Sequence, residues 1–261
     1  MSRQNYYKQR QHRQKRSVDE DLIVNLVRRE RWVQPRLGVR KLHHVLSADL
    51  SSAGVSIGRD RLFEVLRQHR LLVLRRSRSV RTTDSRHGLA VYPNRLKTAV
   101  LTGPHQAWVS DITYLRTREG FMYLSLVMDA YSRTVVGYDC NDRLESEGAL
   151  QALSMAIGQL PAGASVIHHS DRGSQYCSRR YVQRLLRRGL QISMTQENHC
   201  YENGQAERLN GILKQEYGLG EVFSRKHDVR ASVREAVELY NFRRPHEALG
   251  YRCPGEVHSV A

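Results

Sequence analysis

The chain changes texture at Trp108, and that change fixes the fold class. WVSDITYL alternates with a period of two: Val109, Asp111 and Thr113 fall on one side, Trp108, Ser110, Ile112 and Tyr114 on the other. A turn over Thr117-Arg118-Glu119-Gly120 leads into FMYLSLVMDA and then RTVVGYDC, at the spacing of antiparallel neighbours. A helical run over 145–160 carries Ala149, Leu150, Leu153, Ala156, Ile157 and Leu160. SVIHHS reads as a fourth strand, 178–188 as a basic helix and Gln191 to Thr195 as a fifth strand. Asn203 to Tyr217 reads as a helix with Ala206, Leu209, Leu213 and Tyr217 on one face. The order βββαβαβα predicts an α/β fold, a mixed sheet with helices on both faces. A last helix, roughly 228–242, stops before Pro245, which cannot continue it.

Ahead of this block the chain is helical and basic. Of the 42 Lys and Arg, 23 lie in residues 1–100 against 8 Asp and Glu; residues 101–261 hold 19 against 18. A charge block of this kind attracts a polyanion, most commonly nucleic acid. Residues 1–16 read as a flexible basic arm. Ser17-Val18-Asp19-Glu20 has the pattern of a capping box and predicts a helix with Leu22, Ile23, Leu26 and Val27 as its stripe. A second run from Gly38 carries Val39, Leu42, Val45, Leu46 and Leu50. A third, after Ser56, carries Leu62, Phe63, Val65 and Leu66. Two helices joined by the turn at Ser51-Ser52-Ala53-Gly54 have the form of a helix-turn-helix, with Arg59 and Arg61 offered to DNA. The organisation expected is therefore an arm (1–16), a helical DNA-binding domain (17–74), a basic linker (75–104) and an α/β domain with a C-terminal helix and tail (105–261).

The four cysteines, Cys140, Cys177, Cys200 and Cys253, form no CxxC pair, which argues against structural zinc or a disulfide framework and suggests a reducing compartment. No secretory signal is read at the N-terminus, and the longest apolar-rich stretch, Phe121 to Met128, is far short of the roughly 20 residues of a bilayer span. A membrane protein is not expected.

Three carboxylates fall where this order makes them useful. Asp111 lies within the first strand, Asp171 ends the fourth, and Glu207 lies on the later helix with 35 residues between it and Asp171. Alone, each is an ordinary turn former or cap. Together they suit in-line displacement at a phosphodiester, where two Mg²⁺ ions about 4 Å apart activate an oxygen nucleophile and compensate charge on the leaving oxygen. Asn203, Glu207, Asn210 and Lys214 follow at i, i+4, i+7 and i+11, a polar strip opposite Ala206, Leu209 and Leu213 and suited to facing DNA.

WVSDITYL, HSDRGSQY, CYENGQAERLNGILKQE and YNFRRPHEALGY, with GVRKLHHVL ahead of them, resemble the integrase-like transposases of bacterial insertion sequences, in particular the second-frame protein of two-frame elements. The resemblance spans roughly residues 18–256. It implies an RNase-H-like core whose Asp-Asp-Glu triad, on Asp111, Asp171 and Glu207, binds two Mg²⁺ or Mn²⁺. It further implies cleavage and strand transfer at the ends of an element by a copy-out–paste-in route, through multimers on DNA and with a first-frame subunit or fusion as partner, in the cytoplasm at the nucleoid. Ser110, where Thr is more usual, and Cys253, where Ser or Thr is common, depart from the pattern without touching the triad.

Two other function classes are weighed. A non-catalytic regulator would occupy element ends through the basic helices, but carboxylates beside phosphates would only repel. A hydrolytic RNase-H-type nuclease would share the metal site without using a 3′-OH as nucleophile. Among remaining residues, His168 and His169 read chiefly as packing groups and Asp129 as a cap. Tyr201 and Asn203 are expected to shape the active-site loop and touch a DNA end. The Arg243, Arg244 and His246 cluster suits phosphate contact, chiefly through Arg243, or a helix-ending salt bridge.

Overall fold

The computed structural model describes residues 3–74, 88–161, 163–196 and 202–259. The chain forms two compact units, one of residues 1–77 with Pro245–Tyr251, the other of residues 78–244 with 252–261.

The first unit is all helical: α1 (Arg3–Val33), α2 (Val39–Val45), α3 (Ser47–Ser52) and α4 (Arg59–Gln68). In place of the expected flexible arm, α1 runs unbroken from Arg3, with Ser17 inside the helix rather than capping it. The first sixteen residues hold no Gly or Pro and many Gln, Lys and Arg. A helix already nucleated by its packed half extends into such a segment without a new nucleation cost. The packed half contributes Ile23, Val24, Leu26 and Val27 to a core with Leu37, Leu42, Leu46, Leu50, Leu62, Val65 and Leu66. Phe63, expected in that core, is 45% exposed, because Leu62, Val65 and Leu66 already fill the inward face. The single run expected over 38–50 is two short helices meeting at Leu46. Pro245–Tyr251 joins this unit and not the α/β unit: Arg40 donates to Glu247 Oε1 at 3.0 Å, and Tyr251 stacks on His44 with ring centroids 4.8 Å apart.

The second unit is built on a mixed sheet of β1 (Ala107–Thr117), β2 (Gly120–Asp129), β3 (Val135–Asn141), β4 (Ile167–Ser170) and β5 (Gln191–Met194), in the order β3-β2-β1-β4-β5. The first three strands are antiparallel neighbours; β4 and β5 continue the sheet in parallel with β1. A two-residue strand β6 (Val222–Phe223), absent from the sequence reading, pairs with the far end of β1. One face is covered by α5 (Ser146–Ile157), α6 (Ser174–Cys177) and α7 (Arg179–Arg187), packed on Trp108, Val127 and Val136. The other is covered by α8 (Gly204–Glu216) and α9 (Lys226–Phe242), packed on Val109, Leu115 and Leu124. The chain ends on α10 (Pro254–Ser259). Trp108 and Val109 thus enter opposite cores, as the alternation requires. At Gly137 a β-carbon would lie 2.1 Å from the Ala152 carbonyl oxygen, so α5 rests directly on the backbone of β3.

Of the expected basic linker, residues 75–87 lie outside the described residues. The rest is laid onto the α/β unit: the Arg95 and Leu96 N–H groups donate to Ser193 Oγ at 2.9 and 3.3 Å, and Leu96 and Leu101 pack against the core. Cys140, Cys177 and Cys253 are free thiols; Cys200 lies outside the described residues. No described helix is long and apolar enough to cross a membrane.

Candidate active site

Parallel pairing of β1 with β4 sets the site. Trp108 lies opposite His168 and Val109 opposite His169, each pair 60 residues apart in the chain. Asp171 follows directly on β4, near enough to Asp111 for its charge to act there. Asp111 alternates with Val109 on β1, so its carboxylate faces the α8 side. There α8 crosses β1: Asn210 Nδ2 donates to Asp111 Oδ2 at 2.7 Å, and Glu207 stands one turn earlier on the same helix. The Ile112 N–H donates to Asp111 Oδ1 at 2.9 Å, and the Gly173 N–H to Asp171 Oδ1 at 2.9 Å.

The electrostatics record a surplus of negative charge. Burial first, then the Asp171 carboxylate, push the Asp111 carboxyl up to about 7; the Ile112 N–H and Asn210 pull against this, and Glu207 adds a smaller upward push. Burial lowers Lys214, while the nearby Asp111 charge raises it. A buried carboxyl whose ionisation is opposed by two further carboxylates makes a site whose natural counter-charge is a cation. Among the described residues, no group of three or more His, Cys, Asp or Glu converges tightly enough to enclose an ion in this conformation.

Behind Asp111 lies a buried polar network. Ser110 Oγ and the Tyr181 hydroxyl both meet His168 Nε2, at 2.8 and 2.9 Å, and Asn203 Nδ2 donates to the Ser110 carbonyl at 3.0 Å. His169 Nδ1 meets Ser193 Oγ at 2.8 Å. Burial first, then the neighbouring imidazole of His169, pull His168 down to about 3; burial pulls His169 down to about 4. Both are neutral groups of the interior. Tyr181 and Ser193 escape the sequence reading because the one sits on an amphipathic helix and the other in a short strand, with no motif to single them out.

The strip expected to face DNA is not uniform. Asn203 is 3% exposed and Asn210 7%, and both are spent on β1, where the sequence reading expected DNA contacts. Lys214 is half-buried, Glu207 exposed, and Tyr201 lies outside the described residues. Arg61 forms a half-buried ion pair with Glu20; Arg59 pairs with its neighbour Asp60. Arg243 is exposed, whereas Arg244 is buried and forms a two-pronged pair with Glu216 at 2.7 and 2.8 Å. Asp129 behaves as a cap, accepting from the Tyr131 and Ser132 N–H groups at 3.1 and 2.8 Å.

Two family models, each described as an integrase core domain, match residues 102–200 and 188–254. The chain is 35% identical over 258 residues to the insertion element IS600 uncharacterized 31 kDa protein of Shigella sonnei, covering 97% of this chain and 93% of that protein. It is 41% identical over 170 residues to transposase InsF for insertion sequence IS3A of Escherichia coli, covering 64% of this chain and 59% of the transposase. In fold it is similar to a chain of the simian T-cell lymphotropic virus intasome, solved in complex with PP2A regulatory subunit B56 gamma. The TM-score is 0.51 at 19% identity, over 85% of this chain and 74% of that one.

Proposed function

We propose that this chain, which belongs to the integrase-core family of insertion-sequence transposases, is a DNA transposase whose chemistry is carried by Asp111, Asp171 and Glu207. The observation that carries the reading is the buried Asp111 carboxyl on β1, whose ionisation is opposed by Asp171, just after β4, and by Glu207 on α8.

The donor set fits hard divalent cations: carboxylate oxygens on separate rigid elements, in a pocket with negative charge to spare. Asp111, Asp171 and Glu207 would hold two Mg²⁺ or Mn²⁺, which when bound activate the attacking oxygen and compensate charge on the phosphoryl oxygens. The chain's part is orientation. Asn210 and the Ile112 N–H fix the Asp111 carboxylate, the Gly173 N–H fixes that of Asp171, and Glu207 is carried, exposed, on α8. Lys214, beside Asp111, is suited to a DNA phosphate, as are Tyr201, Arg59 and Arg243; Arg61 serves its ion pair with Glu20.

The reaction is polynucleotidyl transfer in two displacements. A water oxygen bonds to phosphorus at the element's end, the bond to the 3′ oxygen breaks, and a 3′-OH is freed. That oxygen then bonds to a phosphorus of the target, displacing a target 3′ oxygen. No covalent protein intermediate is needed. The partners are element ends and target DNA, further copies of the chain on DNA, and a first-frame subunit or fusion; the setting is the bacterial cytoplasm.

The test is a labelled-end assay with Mg²⁺ or Mn²⁺, with and without the first-frame partner. Asp171→Asn abolishes cleavage and joining while DNA affinity stays the same or rises. Joining retained by that variant removes Asp171 from the chemistry. Cleavage without strand-transfer products points to a nuclease, and binding without any product to a regulator.

A further inference from the structure

We infer that the outer face of α7 is a second DNA-backbone surface, on which Arg184 and Arg187 neutralise duplex phosphates beyond the carboxylate site; this rests on the transposase reading. Helix α7 buries Tyr181 and Leu185 and turns Arg180, Arg184 and Arg187 outward at i, i+4 and i+7, within one narrow arc. Arg179 and Leu186 are exposed beside them.

Three observations point outward from this face. First, the chain itself compensates little of the charge. Arg180 pairs with Glu147 of α5 at 3.2 Å and Arg188 donates to the Pro161 carbonyl at 3.1 Å, whereas Arg179, Arg184 and Arg187 have no ion pair or hydrogen bond among the described residues.

Second, like charges crowd the helix that carries them. Arg180 with Arg184 and Arg184 with Arg188 are like charges at i, i+4, and Arg179 and Arg180 occupy a first turn that holds no acidic residue. Cations there oppose the positive end of the helix dipole, whereas Arg184 and Arg187, in the last turn, are favoured by its negative end. A solvated face kept for solubility would carry mixed charges at no such cost. A polyanion removes the repulsion.

Third, the face lies on the side of the sheet opposite α8 and is long enough for several phosphates. The chain leaves β4 at Asp171, and Tyr176 and Cys177, just ahead of α7, both feel the Asp171 charge. From Arg180 to Arg187 the helix advances about 10 Å, a length along which duplex DNA presents roughly six phosphate charges, one per about 1.7 Å.

The experiment uses the full chain and a labelled duplex of arbitrary sequence, titrated across a range of salt concentrations. The double variant R184Q/R187Q weakens binding at least tenfold at about 0.1 M salt, and the slope of log affinity against log salt becomes shallower by about two. R184K/R187K keeps the wild-type slope. R225Q/R234Q, which removes equal charge from exposed positions around α9, changes the slope by less than half as much. An unchanged slope in R184Q/R187Q overturns the inference and leaves an acidic protein as the surface's partner. An equal loss in R225Q/R234Q overturns it as well, reducing the effect to net charge. Because the readout is binding without divalent cation, failure here leaves the Asp171→Asn result standing, and the reverse holds too.

Discussion

Asn210 Nδ2 donates to Asp111 Oδ2 at 2.7 Å, so the helix that carries Glu207 is tied by a side chain to the strand that carries Asp111. The bond fixes one carboxylate oxygen and adds a polar tie to the apolar seat of α8 on β1. Asn210→Ala removes both effects. Partners of metal ligands are worth about 10–100-fold in metal affinity or activity. End cleavage by this variant falls by that order, with the concentration of Mg²⁺ giving half-maximal rate raised. Unchanged metal dependence would leave Asn210 a mere packing group.

Asp111 makes apo stability fall with rising pH. Its folded pKa of about 7 lies above the ordinary 3.8, so the folded state holds a proton that the unfolded state has released. Stability contributed by this group is therefore full below about 4 and is lost as pH rises towards 7. Without divalent cation, Tm of Asp111→Asn minus Tm of wild type increases from pH 4 to pH 7. Adding Mg²⁺ at pH 7 raises the wild-type Tm and leaves the variant's nearly unchanged. A difference that stays flat with pH would contradict the raised carboxyl.

Gly137 permits the close seat of α5 on β3. A methyl group there meets the Ala152 carbonyl oxygen at 2.1 Å, a backbone atom that cannot rotate away. Gly137→Ala destabilises the fold by about 1–3 kcal/mol, the usual range for overpacking. Urea unfolding followed by circular dichroism measures it, and a loss below about 0.5 kcal/mol would show that α5 shifts freely.

Adjacent arginines after α9 differ sharply. Arg244 is buried in a two-pronged pair with Glu216 and lies 5.8 Å from the centre of the Tyr240 ring. Arg244→Ala removes both hydrogen bonds to Glu216 and the buried guanidinium beside Tyr240, and costs about 2–4 kcal/mol. Arg243→Ala, at an exposed position, changes stability by about 0.5 kcal/mol or less and weakens DNA binding instead. Equal unfolding midpoints for the two variants would refute the assignment.

Much of the second unit is legible from period alone. The two-residue alternation after Trp108 places Val109 and Trp108 in opposite cores, and the stripe of Ala206, Leu209 and Leu213 is buried as its spacing demands. Polar residues are harder to read. Asn203 and Asn210 share a helical strip with exposed Glu207, and helical spacing cannot tell an amide that faces solvent from one that meets a strand a few degrees away. The helix over Arg3–Arg16 escapes notice because it has no apolar stripe; it borrows its nucleus from the packed residues that follow. The seven residues Pro245–Tyr251 carry no local sign that they belong with helices two hundred residues earlier.

That last arrangement bears on the order of synthesis. A ribosome delivers the helices first, yet the Glu247 that pairs with Arg40 and the Tyr251 that stacks on His44 emerge only about two hundred residues later. Until then Arg40 lacks this partner, so a nascent or prematurely terminated product differs in surface charge from the finished molecule. Fragments cut between the two units would inherit the unfinished state.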